Sequence, residues 1–177
     1  MKSTIQFYLL FAAFMLMAST AKLQAQAQPR YKDMVVENPT AEADMQVVGD
    51  YINAIVSGDL AKAKSLLGDK FMLYGPSAAD SSNAQKELTS WAENYKTHMN
   101  RKVEFITQTF KVLSGNLQGN WVSMWGTYSC TIDGKNIAIP FQSTSRVENG
   151  KITRTSIYFD NLSVLTKLGY TLTPPKK

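Results

Sequence analysis

The chain has 177 residues, enough for one domain with a real core, and is 44% hydrophobic and 19% charged, a globular balance. Its 19 basic against 14 acidic side chains leave a mild positive excess with scattered lysines and arginines. Such a pattern gives no support to nucleic-acid or membrane-surface binding. Cys130 is the only cysteine, which excludes an internal disulfide, and an exported chain must then rely on its core.

The N-terminus reads as a secretory signal over residues 1–27. Lys2 opens it, Phe7–Ala18 is an unbroken apolar run too short to span a bilayer, and Ala25-Gln26-Ala27 offers small residues to a peptidase. Cleavage falls after Ala25 or Ala27, the protein is expected to be exported (periplasmic or extracellular), and no membrane span follows. Removal takes Lys2 and Lys22 away and leaves 17 basic against 14 acidic residues.

Residues 28–39 read as a polar connector ending in Asn38-Pro39. Thr40 is placed to cap a helix over about Ala41–Ser57, in which Met45, Val48, Ile52 and Ile55 recur at helical spacing. Ser57-Gly58-Asp59 closes it and starts a short second helix with Leu60, Ala63 and Leu67, ending at Gly68. Phe71–Tyr74 is a short strand stopped by Gly75-Pro76. Ser82 with Gln85 makes a capping box for a third helix, whose stripe is Leu88, Trp91, Ala92, Tyr95 and Met99. Val103–Leu113 reads as a strand with a bulge near Phe105-Ile106.

Asp133-Gly134 and Asn149-Gly150 then suit two-residue type I′ turns and predict an antiparallel meander from Trp121 to Asp160. The first turn pairs Cys130 with Ile137, Tyr128 with Ile139 and Gly126 with Phe141. The second pairs Ser145 with Arg154, Ser143 with Ser156 and Phe141 with Tyr158. Paired residues share a face. One face therefore carries Met124, Gly126, Tyr128, Phe141, Ser143, Arg154, Ser156, Tyr158 and Asp160. Trp121, Trp125, Gln142, Ile157 and Phe159 fall on the other. Gly126 is expected to be small because Phe141 and Tyr158 lean over it. Cys130 falls on the apolar face, where an inert buried thiol is expected. A brief helix over Asn161–Gly169 and a frayed tail, 171–177, end the chain.

Helices gathered on one side of an antiparallel sheet make the fold class α+β. The run Tyr51-Ile-Asn-Ala-Ile-Val-Ser-Gly-Asp59 resembles the first helix of the nuclear-transport-factor-2-like superfamily. The run Asn149-Gly-Lys-Ile-Thr-Arg-Thr-Ser-Ile-Tyr-Phe-Asp160, followed by Leu162, Leu165 and Leu168-Gly169, resembles the close of its SnoaL-like branch. The resemblance covers about Ala41 to Tyr170, within a domain read as 40–170. It implies a curved sheet forming a cone, three helices over the concave face, a pocket there, and often a homodimer.

Ketosteroid isomerase, a member of that superfamily, uses an aspartate base, a tyrosine and a protonated aspartic acid. Tyr51 stands where the resemblance puts the tyrosine. Gly75 stands at the base position and Ser143 at the second acid, so two of the three groups are absent. The SnoaL-like cyclases use a histidine with an aspartate. The sole histidine here, His98, lies at the end of the third helix and is expected to be solvated.

Asp160, the one acid on the expected inner face, is the candidate general base, or else the cap of the last helix, with Tyr51 and Tyr128 as candidate donors. Arg154 could clamp a carboxylate or lie in water at the rim. Trp91, Tyr95, Met124, Tyr128, Phe141, Ser143, Arg154, Ser156 and Tyr158 are the expected pocket lining. No metal ion or cofactor is expected. Three functions follow: a pocket that binds a small apolar molecule without transforming it, a non-catalytic interaction module, and an isomerase, cyclase or dehydratase using Asp160. Trp125, Gln142, Ile157 and Phe159 are the expected homodimer surface.

Overall fold

A computed structural model describes residues 30–173. Residues 1–29, on which the expected signal falls, and residues 174–177 lie outside the described residues. A short helix α1 (Tyr31–Met34) runs into β1 (Val35–Val36), then come α2 (Ala41–Ser57), α3 (Leu60–Ser65), β2 (Leu67–Tyr74), β3 (Ser81–Asn83) and α4 (Ala84–Asn94). The long strands β4 (Met99–Val112), β5 (Gly119–Ile132), β6 (Lys135–Glu148) and β7 (Lys151–Phe159) follow, and α5 (Asn161–Leu168) closes the chain. Among the described residues one seven-stranded sheet results, in the order β1-β4-β5-β6-β7-β2-β3, and within it only β2 and β7 pair in parallel.

The two turn dipeptides behave as their chemistry requires. Asp133, Gly134, Asn149 and Gly150 all take positive φ, between 49° and 72°. The β5–β6 register is the expected one throughout: Ile132 pairs with Lys135, Tyr128 with Ile139, Gly126 with Phe141 and Met124 with Ser143.

The β6–β7 register is not. Val147 pairs with Ile152 as expected, but Arg146 then pairs with Arg154, because a β-bulge admits Thr153 as an extra residue. Beyond the bulge every side chain of β7 changes face. Thr155, Ile157 and Phe159 point to the concave side, while Arg154, Ser156 and Tyr158 point away, with Tyr158 57% exposed. The physical reason is burial: the bulge puts Ile157 and Phe159 against the core and keeps the Arg154 guanidinium out of it.

The core lies between the concave face and α2, whose Val48, Tyr51 and Ile55 recur three and four residues apart. Phe71, Val122, Met124 and Ile152 are almost fully enclosed beneath them. Cys130 is buried with Ile132 and Ile137, under Val164 and Leu168 of α5.

Several local expectations need correction. The described part of the expected connector, residues 30–39, is more than a connector, since β1 adds an edge to β4. Asn38 is buried and donates to Asp44 Oδ2 (2.8 Å) and Thr109 Oγ1 (2.7 Å). Thr40 makes no capping bond; its hydroxyl joins the same network on Asp44. Asn83, not Ser82, caps α4 by accepting from the Lys86 amide. The third helix stops at Asn94, so Met99 is a strand residue. The irregularity in β4 falls between Met99 and Lys102, where Asn100 has φ 51°, and Phe105-Ile106 is regular strand with Ile106 exposed. Trp121 is buried beneath the loop before β5, donating from Nε1 to the Leu117 carbonyl.

Candidate functional site

The concave face leaves a cavity of about 480 Å³ near its α5 end. Sheet residues supply one wall: Tyr128 and Ile132 from β5, Ile139 and Phe141 from β6, Ile157 and Phe159 from β7. Ile52 of α2 and Trp91 of α4 close the opposite side, and Val164, Leu168 and Tyr170 lie at the α5 edge. Alternation brings the sheet residues inward, and the bulge adds Ile157 and Phe159 to them. The lining is mostly apolar and aromatic.

Its polar groups are few. His98 Nδ1 lies 3.0 Å from the Tyr128 hydroxyl, and the tautomer decides which donates. His98 is carried on the turn after α4, where its amide donates to the Asn94 carbonyl at 2.7 Å. Arg101 pins that turn: Nη1 donates to the His98 carbonyl and Nε to the Val56 carbonyl at the end of α2, both at 2.9 Å. Its guanidinium sits 4.5 Å over the Tyr95 ring. Burial, and then the nearby positive Arg101, lower the His98 pKa, so the imidazole is neutral at pH 7. Burial foremost raises the Tyr128 pKa, and its hydroxyl keeps its proton. The pair thus presents a neutral base and a held phenol to the cavity. Asn94, Thr97, Asp133 and Asn161 add polar groups to the lining, and Asp133 is exposed in the β5–β6 turn.

Trp91 and Tyr128 meet edge to face, with ring centroids 5.7 Å apart. The Trp91 indole donates from Nε1 to Glu87 Oε1 (3.0 Å), one helical turn earlier, and Ser82 Oγ donates to Glu87 Oε2 (3.2 Å). Burial raises the Glu87 pKa. Tyr51 is buried nearby, its hydroxyl without a hydrogen-bond partner, and burial followed by the Glu87 charge raises its pKa.

Of the residues expected to line the pocket, Trp91, Tyr128 and Phe141 stand in the cavity wall. Met124 and Ser143 are buried in the sheet's core instead. Tyr95 turns to α2 and donates to the Ile55 carbonyl at 2.6 Å. Arg154, Ser156 and Tyr158 lie on the convex face through the bulge. Asp160 is exposed, away from the cavity, and caps α5 by accepting from the Ser163 amide at 2.9 Å. Tyr51 is buried in the core rather than in the cavity wall. Of the expected convex surface Trp125 and Gln142 remain there, while Ile157 and Phe159 have turned inward.

His98 is the residue that sequence reasoning missed. Reading α4 through to Met99 carried it onto an exposed helix end, whereas the earlier stop returns the chain to the sheet through His98. Glu87 offered a signal: with Trp91 and Tyr95 it recurs every four residues on one helix face. Among the described residues no group of three or more His, Cys, Asp or Glu could hold a metal ion.

The geometry has close counterparts among solved structures. A candidate polyketide cyclase from Xanthomonas campestris pv. campestris superposes with a TM-score of 0.60 at 11% identity, over 72% of this chain and 98% of that one. A candidate SnoaL-like polyketide cyclase from Shewanella denitrificans gives 0.58 at 14% identity, over 71% and 96%. The fold is SnoaL-like. A protein of ketosteroid isomerase-like fold from Catenulispora acidiphila agrees with this chain at a TM-score of 0.57 and 17% identity, over 73% and 98%. These identities show a shared fold only. No family model and no curated protein matches this chain in sequence.

Proposed function

We propose that the protein is an exported binder of a small, largely apolar molecule, held in the concave-face cavity without being transformed. The observation that carries this reading is the cavity itself, whose volume of about 480 Å³ lies within the usual range for small-molecule sites and whose walls are mainly apolar. His98 and Tyr128 supply a hydrogen-bonding contact for one oxygen or nitrogen of the ligand, which fixes its orientation. Export is supported by Lys2, the Phe7–Ala18 run and the small residues near Ala25. The test is mass spectrometry of small molecules retained by the native purified protein, beside an Ile157→Trp variant that fills the cavity. A compound retained by the first and lost from the second is the expected result. Identical profiles, or none from either, would refute the proposal.

One observation favours a second reading. A neutral imidazole hydrogen-bonded to a phenol is the equipment of general acid–base chemistry, and two of the structural neighbours bear polyketide-cyclase names. In that reading His98 takes the proton, and Asp160, outside the cavity, has no part. A retained compound returned chemically changed by the unmodified protein, and unchanged by His98→Gln, would place this reading first.

A further inference from the structure

The convex face carries an arrangement that the cavity does not explain. Arg146 of β6 and Arg154 of β7 pair directly across the strands, side by side on the outward face. Like charges so placed repel and weaken a sheet unless something neutralises them. Arg146 has partial neutralisation, an ion pair from Nη2 to Glu148 Oε1. Arg154 has no ion pair with an acidic side chain among the described residues; its guanidinium lies 4.6 Å over the Tyr74 ring. In both residues Nε is buried with no hydrogen-bond acceptor. An unmet guanidinium N–H is costly, and two in one cross-strand pair ask for a common cause.

The arrangement suits a missing acceptor. Tyr74 holds one guanidinium in place, and the Arg146 side chain is 30% exposed although its Nε is buried. Rotation about the terminal bonds of such side chains can present the Nε–Nη2 edge, which meets two oxygens of an oxyanion with parallel bonds. Thr144 and Ser156, a directly opposed pair two residues along the strands, place hydroxyl-bearing side chains on the same face. We propose that Arg146 and Arg154 form an oxyanion site, receiving one carboxylate or phosphate group between their guanidiniums. The site is on the opposite face of the sheet from the cavity and does not depend on what the cavity holds.

The experiment uses the whole protein with inorganic phosphate and acetate as probes, against chloride at matched ionic strength. The arginine side-chain ¹⁵Nε resonances of Arg146 and Arg154 should shift and saturate with one or both anions, while other arginines stay put. At tenfold excess over the dissociation constant the melting midpoint should rise by about 3–6 °C, the size expected of one-site linkage in a domain this large. Phosphate alone would identify a phosphate source, acetate alone a carboxylate source. Arg154→Gln and Arg146→Gln should each lose the response; Arg154→Lys, charged but without the fork, should keep less than half of it. The site is refuted if neither anion exceeds chloride, or if Arg154→Gln responds like the unmodified protein, which would mean an adventitious ion only. Shifts that follow protein concentration in chloride alone also refute it, assigning the pair to a second copy of the chain. Should Arg154→Gln not fold, the resonances of the unmodified protein decide.

Discussion

Replacing Gly126 by alanine tests how closely β4 approaches β5. An added Cβ would fall well inside contact distance of the Glu104 carbonyl oxygen, and 2.8 Å from both Cα and Cβ of Phe105. Cβ atoms essentially never come within 3.0 Å of such neighbours, and two of the three atoms are backbone that no side-chain rotation can move. Thus β4, rather than Phe141 or Tyr158, demands the glycine, and Tyr158 is on the other face. The strand has to withdraw, at about 1–3 kcal/mol for overpacking. Loosening a flanking ladder bond adds about 0.5–1.5 kcal/mol. A total near 2–4 kcal/mol should lower the melting midpoint by about 5–15 °C in a domain of this size. Gly49→Ala is the internal control: its Cβ would meet only Phe105 ring atoms at 3.7 Å, and helix propensity predicts a gain of up to about 1 kcal/mol. Calorimetry on the two variants settles the matter. A Gly126→Ala midpoint within about 2 °C of the unmodified protein would refute the close approach of β4 to β5.

His98 should titrate below 6.5 by NMR, because burial and Arg101 disfavour its charged form. The unfolded chain then takes up the proton first, so stability falls as pH drops from about 6.5 toward the folded value, and His98→Gln should flatten that window. Across the bulge, Phe159→Arg should destabilise by about 2–4 kcal/mol, while Tyr158→Arg stays within about 0.5, as chemical denaturation will show; reversed outcomes restore the unbulged register. Trp125 is 41% exposed on the convex face, and we expect that face to pair two copies, so Trp125→Glu should yield a monomer by sedimentation. An unmodified protein that is monomeric at tens of micromolar (roughly where even weak dimers populate) would end that expectation. N-terminal sequencing of exported material should begin at Gln26 or Gln28, and a chain still starting at Met1 would contradict the signal reading.

What could be read from the sequence depended on how local the information was. Asp133-Gly134 determines its hairpin from two residues, and all of β5–β6 follows from that turn. Asn149-Gly150 does the same for only two pairings, because a bulge is a compromise between turn geometry and burial several residues away. The clue was present: Ile157 and Phe159 are better core residues than Arg154 and Tyr158, and strict alternation from Ile152 buries the wrong set. His98 and Glu87 were harder, since their roles depend on where α4 ends and what crosses above it. Neither Gly nor Pro marks that end. The N-terminal edge strand was missed because two valines offer too short a pattern to separate from a connector.

The parallel pairing of β2 with β7 has a consequence for how the chain reaches its fold. Strands β4 to β7 meet through sequence neighbours, by turns that close in microseconds. Leu67 and Ile152, by contrast, must find one another across most of the domain, and the entropy of closing that loop is spent before any contact repays it. A folding intermediate would then hold a formed meander with the outer edge of β7 bare, its amides and carbonyls open to another chain's strand. Slow docking of the N-terminal half, and aggregation that rises with concentration during refolding, are what such an intermediate would produce.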